Sequence, residues 1–293
     1  MTQRHGNDRI GFGILCFTGA MFLFSIADTT AKWLGMAGYR AVQIAFLRYV
    51  FGLVPVSVII LVIGLPALKT RRPLLHAVRA VILFCALFNL FSGLRYLPLA
   101  EAIAVSFTAP LFVTALSGPL LGEQVGARRW TAVVIGFAGA LIMLRPGTAA
   151  FQPEMLYILA SALCFALSML LTRRMAATET SISMLTYTTL GAGLFSSPFA
   201  LVAWQTPALE HLALFALIGC IGGLAAFILI VSFQHAPASA IVPFEYSALI
   251  WASLFGWLLW QETPGPLIWL GAGVIVASGL YLMRQESRSS TRT

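Results

Sequence analysis

The chain has 293 residues, 59% of them apolar and only 10% charged, with a formal net charge of +8. A soluble domain carries about a quarter charged residues, so that class is excluded, and the basic excess reads as a membrane-orientation signal rather than a nucleic-acid footprint. Apolar runs of about 20 residues recur along the whole length, each enough to cross a hydrocarbon core of about 30 Å. Alternating short segments, the mark of a membrane barrel, do not occur. The expected fold is an all-α integral membrane protein.

Ten transmembrane helices are expected, near 10–34, 41–63, 75–96, 99–121, 130–146, 153–173, 182–204, 211–234, 238–260 and 267–284. The first run reads as a retained helix rather than a cleaved signal. It carries Ser25, Asp28 and Lys32 on one face, since positions four apart stack on a helix. Asp28 and Lys32 read either as a neutralised structural pair or as contacts for the two charges of a zwitterion. Trp33 follows. The second run places Arg48 beside Tyr49; Arg48 could snorkel to headgroups or bind a carboxylate. In the third, Asn89 lies deep, and Arg95 with Tyr96 marks an interface. Glu101 opens the fourth as a helix-dipole carboxylate, and Thr108 with Pro110 marks a kink.

In the sixth run Ser161 and Ser168 lie near one face; Thr186 and Tyr187 are in the seventh. Such hydroxyls commonly bond their own helix backbone. The ninth run holds Pro243, Glu245, Tyr246, Ser247 and Trp251. Glu245 is the candidate for proton coupling, because an acidic group in an apolar setting can take up and release a proton during a cycle. Tyr246, Trp251, Trp33 and Tyr96 are candidates to stack on a flat substrate. The four cysteines (Cys16, Cys85, Cys164, Cys220) all sit in apolar runs, with no metal or disulfide spacing. No nucleophile–base pair, phosphate loop or metal motif appears, so no catalytic residue and no cofactor are expected. An enzyme and a channel remain distant alternatives to a carrier.

One segment occurs twice. A shift of 139 positions carries Pro98 to Pro237, Glu123 to Glu262, Trp130 to Trp269 and Arg145 to Arg284. At a shift of 141, Phe24 meets Phe165 and Lys32 meets Arg173. Each copy of the segment closes a five-helix half, predicting two repeats, 1–147 and 148–293. An odd number of spans separates the copies, so they should face opposite ways across the membrane. Glu123 and Glu262, in turns on opposite faces, read as helix caps or ion-pair partners, or as gates. With both termini on one side, the 18 basic residues split 13 to 5 in favour of that side, which predicts cytoplasmic termini.

Ten spans, two five-helix halves and the Pro…Glu…Trp…Gly pattern closing each half resemble the drug/metabolite transporter superfamily, and within it the EamA-type transporters. The resemblance covers essentially the whole chain, and among members the chain is similar to bacterial aromatic amino-acid exporters. It implies a secondary carrier in the bacterial plasma (inner) membrane, with a central cavity and alternating access. An exporter of amino acids, aromatic ones included, is the leading expectation; drug-like or nucleoside-type metabolites are the alternative. The expected partners are a small-molecule substrate and the lipid bilayer, with no nucleic acid; a monomer is expected.

Overall fold

The computed structural model describes residues 2–122 and 126–290, with side chains described from residue 10 to 282 apart from 123–125, 238, 239 and 242. Among the described residues the chain is helical throughout. Its helices are α1 (Thr2–Met36), α2 (Ala41–Ile63), α3 (Pro73–Leu94), α4 (Leu99–Ser106), α5 (Ala109–Leu121), α6 (Ala127–Leu144), α7 (Met155–Met175), α8 (Ser181–Val202), α9 (Leu209–His235), α10 (Ala238–Ile241), α11 (Ser247–Trp260) and α12 (Pro266–Ser290). Short 3-10 turns occupy Leu65–Leu68 and Val242–Tyr246.

Seven segments are long and apolar enough to cross a membrane: Ile10–Met36, Ala41–Ile63, Pro73–Leu94, Leu99–Leu121, Ala127–Leu144, Met155–Met175 and Leu209–His235. Pro266–Leu282 is a shorter apolar helix. The other two expected spans differ for local reasons. In α8, Ser181, Ser183, Thr186, Thr188, Thr189, Ser196 and Ser197 dilute the apolar residues. The run 238–260 is not one helix, because the 3-10 turn at Val242–Tyr246 splits it and leaves α11 with 14 residues.

Helix ends follow from the residues that stand there. Gly122 closes α5 in the left-handed region (φ 74°) and its N–H returns to the Gly118 carbonyl at 2.9 Å. Between α4 and α5 the chain breaks at Phe107–Thr108. Pro110 sits at the start of α5, where a missing N–H costs nothing, whereas within a continuous helix it would remove a backbone bond.

The packing of the two halves is mirrored. Where α1 lies on α9, α7 lies on α3; where α2 lies on α9, α8 lies on α3; α1 on α11 is answered by α7 on α5. The pairs α2–α8 and α6–α12 are their own counterparts. The large core cluster draws from both halves, running from Ala27 through Phe91 and Phe107 to Ile275. The mirroring is incomplete. Helix α1 also packs on α3, α4 on α11 and α12, α2 on α3 and α5 on α6, whereas the equivalent contacts are weak or missing among the described residues.

Candidate functional site

The two helix breaks meet. Phe107, at the break between α4 and α5, packs edge-on against Tyr246, at the end of the 3-10 turn, with ring centroids 5.0 Å apart and planes at 77°. These residues are equivalents, since the repeat shift of 139 carries position 107 to 246. The Tyr246 hydroxyl rests against Gly279 of α12, where a side chain would collide with it. Glu245 lies in the same turn, partly buried, and makes no hydrogen bond to a described residue. Nearby on α11, Trp251 packs edge-on against Phe22 of α1 at 5.0 Å, and its buried indole N–H has no partner among the described residues. The same holds for the buried Ser247 and Ser253 hydroxyls. Buried donors are normally satisfied, so several orphans beside a helix break mark a place where water or a ligand belongs.

The face of α1 behaves differently from the sequence expectation. Asp28 and Lys32 do not pair. Lys32 extends from α1 to Glu262, in the turn between α11 and α12, and also donates to the Leu97 carbonyl at 2.8 Å. Its ammonium lies 4.8 Å from the Trp260 ring centroid. An acceptor set of carboxylate, carbonyl and ring outcompetes a single carboxylate one turn back. Asp28 instead interacts electrostatically with Arg48 of α2, though no ion-pair contact within 4 Å joins them. Ser25, at 3% exposure, lies below; its carbonyl accepts from the Thr29 hydroxyl at 2.6 Å.

Lys32 is part of a wider knot. The second oxygen of Glu262 accepts the Leu99 N–H at 2.8 Å, capping the first turn of α4. Glu101 of α4 lies within electrostatic reach of Arg145, which ends α6 in the left-handed region (φ 49°), with no ion-pair contact within 4 Å between them. The tie at this end of the bundle is therefore carried by Lys32, Glu262 and the Leu97–Leu99 backbone, which join both halves. Of the sequence readings of Glu262, capping and pairing are both realised. Its repeat counterpart Glu123 lies outside the described residues. Beside this knot is an open groove of about 520 Å³ lined by Trp33, Glu210, His211 and Leu214.

The opposite end has its own polar ties. His76 of α3 is buried and donates through Nε2 to Glu179, in the loop after α7, at 3.1 Å. The Arg71 N–H donates to the other Glu179 oxygen at 3.2 Å. These bonds, the His76 one foremost, hold the Glu179 carboxyl below its ordinary value. A carboxyl that titrates lower when folded stabilises fully above its ordinary value of about 4.5, and that contribution is lost as pH falls through the lower folded value. Glu179→Gln is therefore expected to melt below wild type at pH 7, the gap closing as pH falls below about 4.5. Melting curves of the two proteins between pH 3.5 and 7.5 check this; a gap independent of pH refutes it.

Arg79 was legible in sequence only as one more basic residue near a loop. In the structure it reaches between helices, from α3 to the Thr172 hydroxyl of α7 at 2.9 Å, the Met184 carbonyl of α8 at 3.0 Å and the Thr188 hydroxyl. Its position six residues inside α3 was the available signal, because a charge that deep must find partners. The remaining candidates are dispersed. The Asn89 amide bonds its own helix at the Cys85 carbonyl (2.8 Å), and Tyr96, 61% exposed, stacks with neighbouring Arg95. Trp33 is 46% exposed and tilts against Trp260. Ser161 and Thr186 hydroxyls are buried without partners. Among the described residues no group of His, Cys, Asp or Glu could hold a metal.

A mirrored helical bundle with broken helices at its centre and polar ties at its ends is the architecture of a membrane transporter. The EamA-like transporter family matches residues 11–145 and again residues 152–284, and the chain belongs to that family. It is 31% identical over 277 residues to the "S-adenosylmethionine uptake transporter" of Rickettsia prowazekii (strain Madrid E), covering 94% of each chain. It is 30% identical to the "Riboflavin transporter" of Rhizobium johnstonii (strain DSM 114642 / LMG 32736 / 3841), covering 94% of this chain and 92% of the relative. A solved structure titled "Crystal structure of protein" shares the fold, with a TM-score of 0.64 at 18% identity over 93% of this chain and 98% of its own. The protein is thus a multi-pass membrane transporter of small metabolites rather than an enzyme.

Proposed function

We propose that the chain is a secondary carrier for an amino-acid-derived metabolite bearing a flat ring, with S-adenosylmethionine as the first candidate. The carrying observation is the convergence of two mirrored halves on paired helix breaks, Phe107 against Tyr246, beside unpartnered indole and hydroxyl donors. The two family matches, 11–145 and 152–284, support reading 1–147 and 148–293 as repeats of five spans each. The odd number of spans between them supports an inverted arrangement and alternating access between compartments. Basic residues crowd the side that holds the termini, which supports cytoplasmic termini in a bacterial plasma membrane. The knot around Lys32 would then close the external side in this conformation.

The substrate reading joins two lines of support. Asp28 and Arg48 present opposite charges that do not touch, a pattern matched to an amino acid's ammonium and carboxylate. Trp251 and Tyr246 offer ring faces for a purine. The name of the Rickettsia prowazekii relative favours uptake over the export that family resemblance suggested. A second reading, a flavin-like substrate, is favoured by the Rhizobium johnstonii relative. Proteoliposomes containing the purified protein test both. Saturable uptake of labelled S-adenosylmethionine, unaffected by excess riboflavin, supports the first; the reverse pattern replaces it with the second.

Glu245 is the residue for ion coupling, being an acid in the central turn with no described hydrogen-bond partner. Glu245→Gln is expected to flatten the pH dependence of uptake while leaving exchange of substrate for substrate nearly intact. Equal pH profiles in uptake for variant and wild type would remove the coupling role.

A further inference from the structure

Arg48 stands seven residues into the 23-residue α2, about 10 Å along the helix. Its guanidinium lies flat over Gly222 of α9: a Cβ at that position would stand 2.9 Å from Arg48 Nη2, 3.0 Å from Nε and 3.1 Å from Cζ. Only glycine leaves that seat. Despite the close packing, Arg48 Nε is buried with no hydrogen-bond partner, and no bond from the other guanidinium nitrogens to a described residue is formed. Asp28, which interacts electrostatically with Arg48, forms no ion pair with it within 4 Å.

Arg79 makes the comparison informative. It too is a guanidinium inside the bundle, yet it is saturated by Thr172, Met184 and Thr188. The bundle can satisfy an arginine where it needs one for structure. A cation held within a membrane-spanning bundle, seated against a glycine and left without acceptors, is costly unless an anion completes it.

We infer that Arg48, seated on Gly222, binds the carboxylate of the transported metabolite and thereby selects carboxylate-bearing substrates over their decarboxylated analogues. A guanidinium fork and a carboxylate match in geometry, and the bond is charge-assisted. Asp28, on the neighbouring helix, is placed to meet the α-ammonium of the same substrate. This deepens the substrate reading above and rests on its placement of the cavity; it also excludes riboflavin, which has no carboxylate.

The test uses the full-length protein in detergent and in proteoliposomes, with pairs of compounds that differ only by a carboxylate: S-adenosylmethionine with its decarboxylated analogue, phenylalanine with phenethylamine, and methionine with 3-methylthiopropylamine. Thermal shift reads binding, and labelled flux reads transport. Wild type is expected to bind the carboxylate member of at least one pair about tenfold or more tightly than its partner, the size of one charge-assisted bond. Arg48→Gln should erase that preference by weakening carboxylate binding to the level of the amine. Arg48→Lys should recover part of it. Gly222→Ala, which pushes the guanidinium from its seat, should weaken carboxylate binding with Arg48 still present. Equal binding of both members, binding of neither in every pair, or a preference that survives Arg48→Gln overturns the inference. A preference confined to phenylalanine or methionine retains it and instead overturns the choice of S-adenosylmethionine.

Discussion

Replacing Lys32 by alanine should cost the protein both stability and transport. The substitution leaves Glu262 with a carboxylate oxygen facing a buried pocket where a cation used to sit. The Lys32 side chain is 3% exposed and that of Glu262 is 20% exposed. Removing one partner of a buried pair costs about 3–5 kcal/mol, and the residual exposure of Glu262 argues for the lower part of that range. The Leu97 carbonyl loses its donor at the same time, while the bond from Leu99 N–H to Glu262 remains. Glu262→Ala should be worse in one respect, because it also uncaps α4. The neutral double variant, Lys32→Met with Glu262→Gln, should regain most of the stability, since an amide still accepts from Leu99 N–H and no orphan charge is left.

Stability and gating separate in the double variant. A pair that only holds the fold together would leave it transporting normally. A latch would leave it folded but poorly closed at this end. A cysteine at Leu34, fully buried in this structure, would then react with a membrane-impermeant thiol reagent several-fold faster than in the wild-type background, and net uptake would fall while substrate binding persisted. Normal uptake together with unchanged thiol reactivity would reduce the knot to a structural tie.

Much of the fold was legible in the sequence because its signals are of a length scale that sequence records directly. Apolar runs gave α2, α3, α7 and α9 to within about two residues and the end of α1, though α1 starts eight residues earlier than expected, and Pro110 placed the kink that became the break at Phe107–Thr108. The 3-10 turn at Val242–Tyr246 was less legible: Pro243 announced a disturbance, but not that α11 would shrink to 14 residues. The Ser/Thr-rich α8 carries a weak hydropathy signal because its hydroxyl-bearing residues are polar, even though Thr188, Thr189 and Ser196 satisfy those hydroxyls on their own helix. Site residues were harder. Spacing alone joined Asp28 to Lys32, since both lie on one helical face. It could not reveal that Glu262, 230 positions away, offered Lys32 a better set of partners. The same blindness to long-range pairing hid the Glu179 contact with His76 and the role of Arg79. By contrast, Arg48 was identified as a candidate from depth alone, and its lack of acceptors in the bundle strengthens that reading.

The second large effect is expected in an apolar seam, where α6 and α12 close the mirrored arrangement. Without a hydrophobic drive between helices in lipid, close backbone approach through small residues supplies the association. A Cβ on Gly271 would stand 2.6 Å from the Gly139 carbonyl and collide with Met143; one on Gly139 would stand 2.9 Å from the Gly271 carbonyl. On each side one of the obstacles is a backbone carbonyl, which cannot rotate aside. The same seam carries the Ser278 hydroxyl bond to the Ala132 carbonyl at 2.6 Å, so parting the helices also strands a buried donor. Overpacking a tight contact typically costs about 1–3 kcal/mol, and loss of the buried bond adds about 1–3 more. Gly271→Leu should therefore lower the melting temperature sharply and reduce the yield of folded protein. Gly273→Leu, on the same helix with nothing within 4 Å of its added carbon, is the control and should behave as wild type. Comparable losses in the two variants would mean that general crowding of α12, rather than the Gly139–Gly271 approach, governs stability, and the self-paired seam would lose its place as the structural link between the halves.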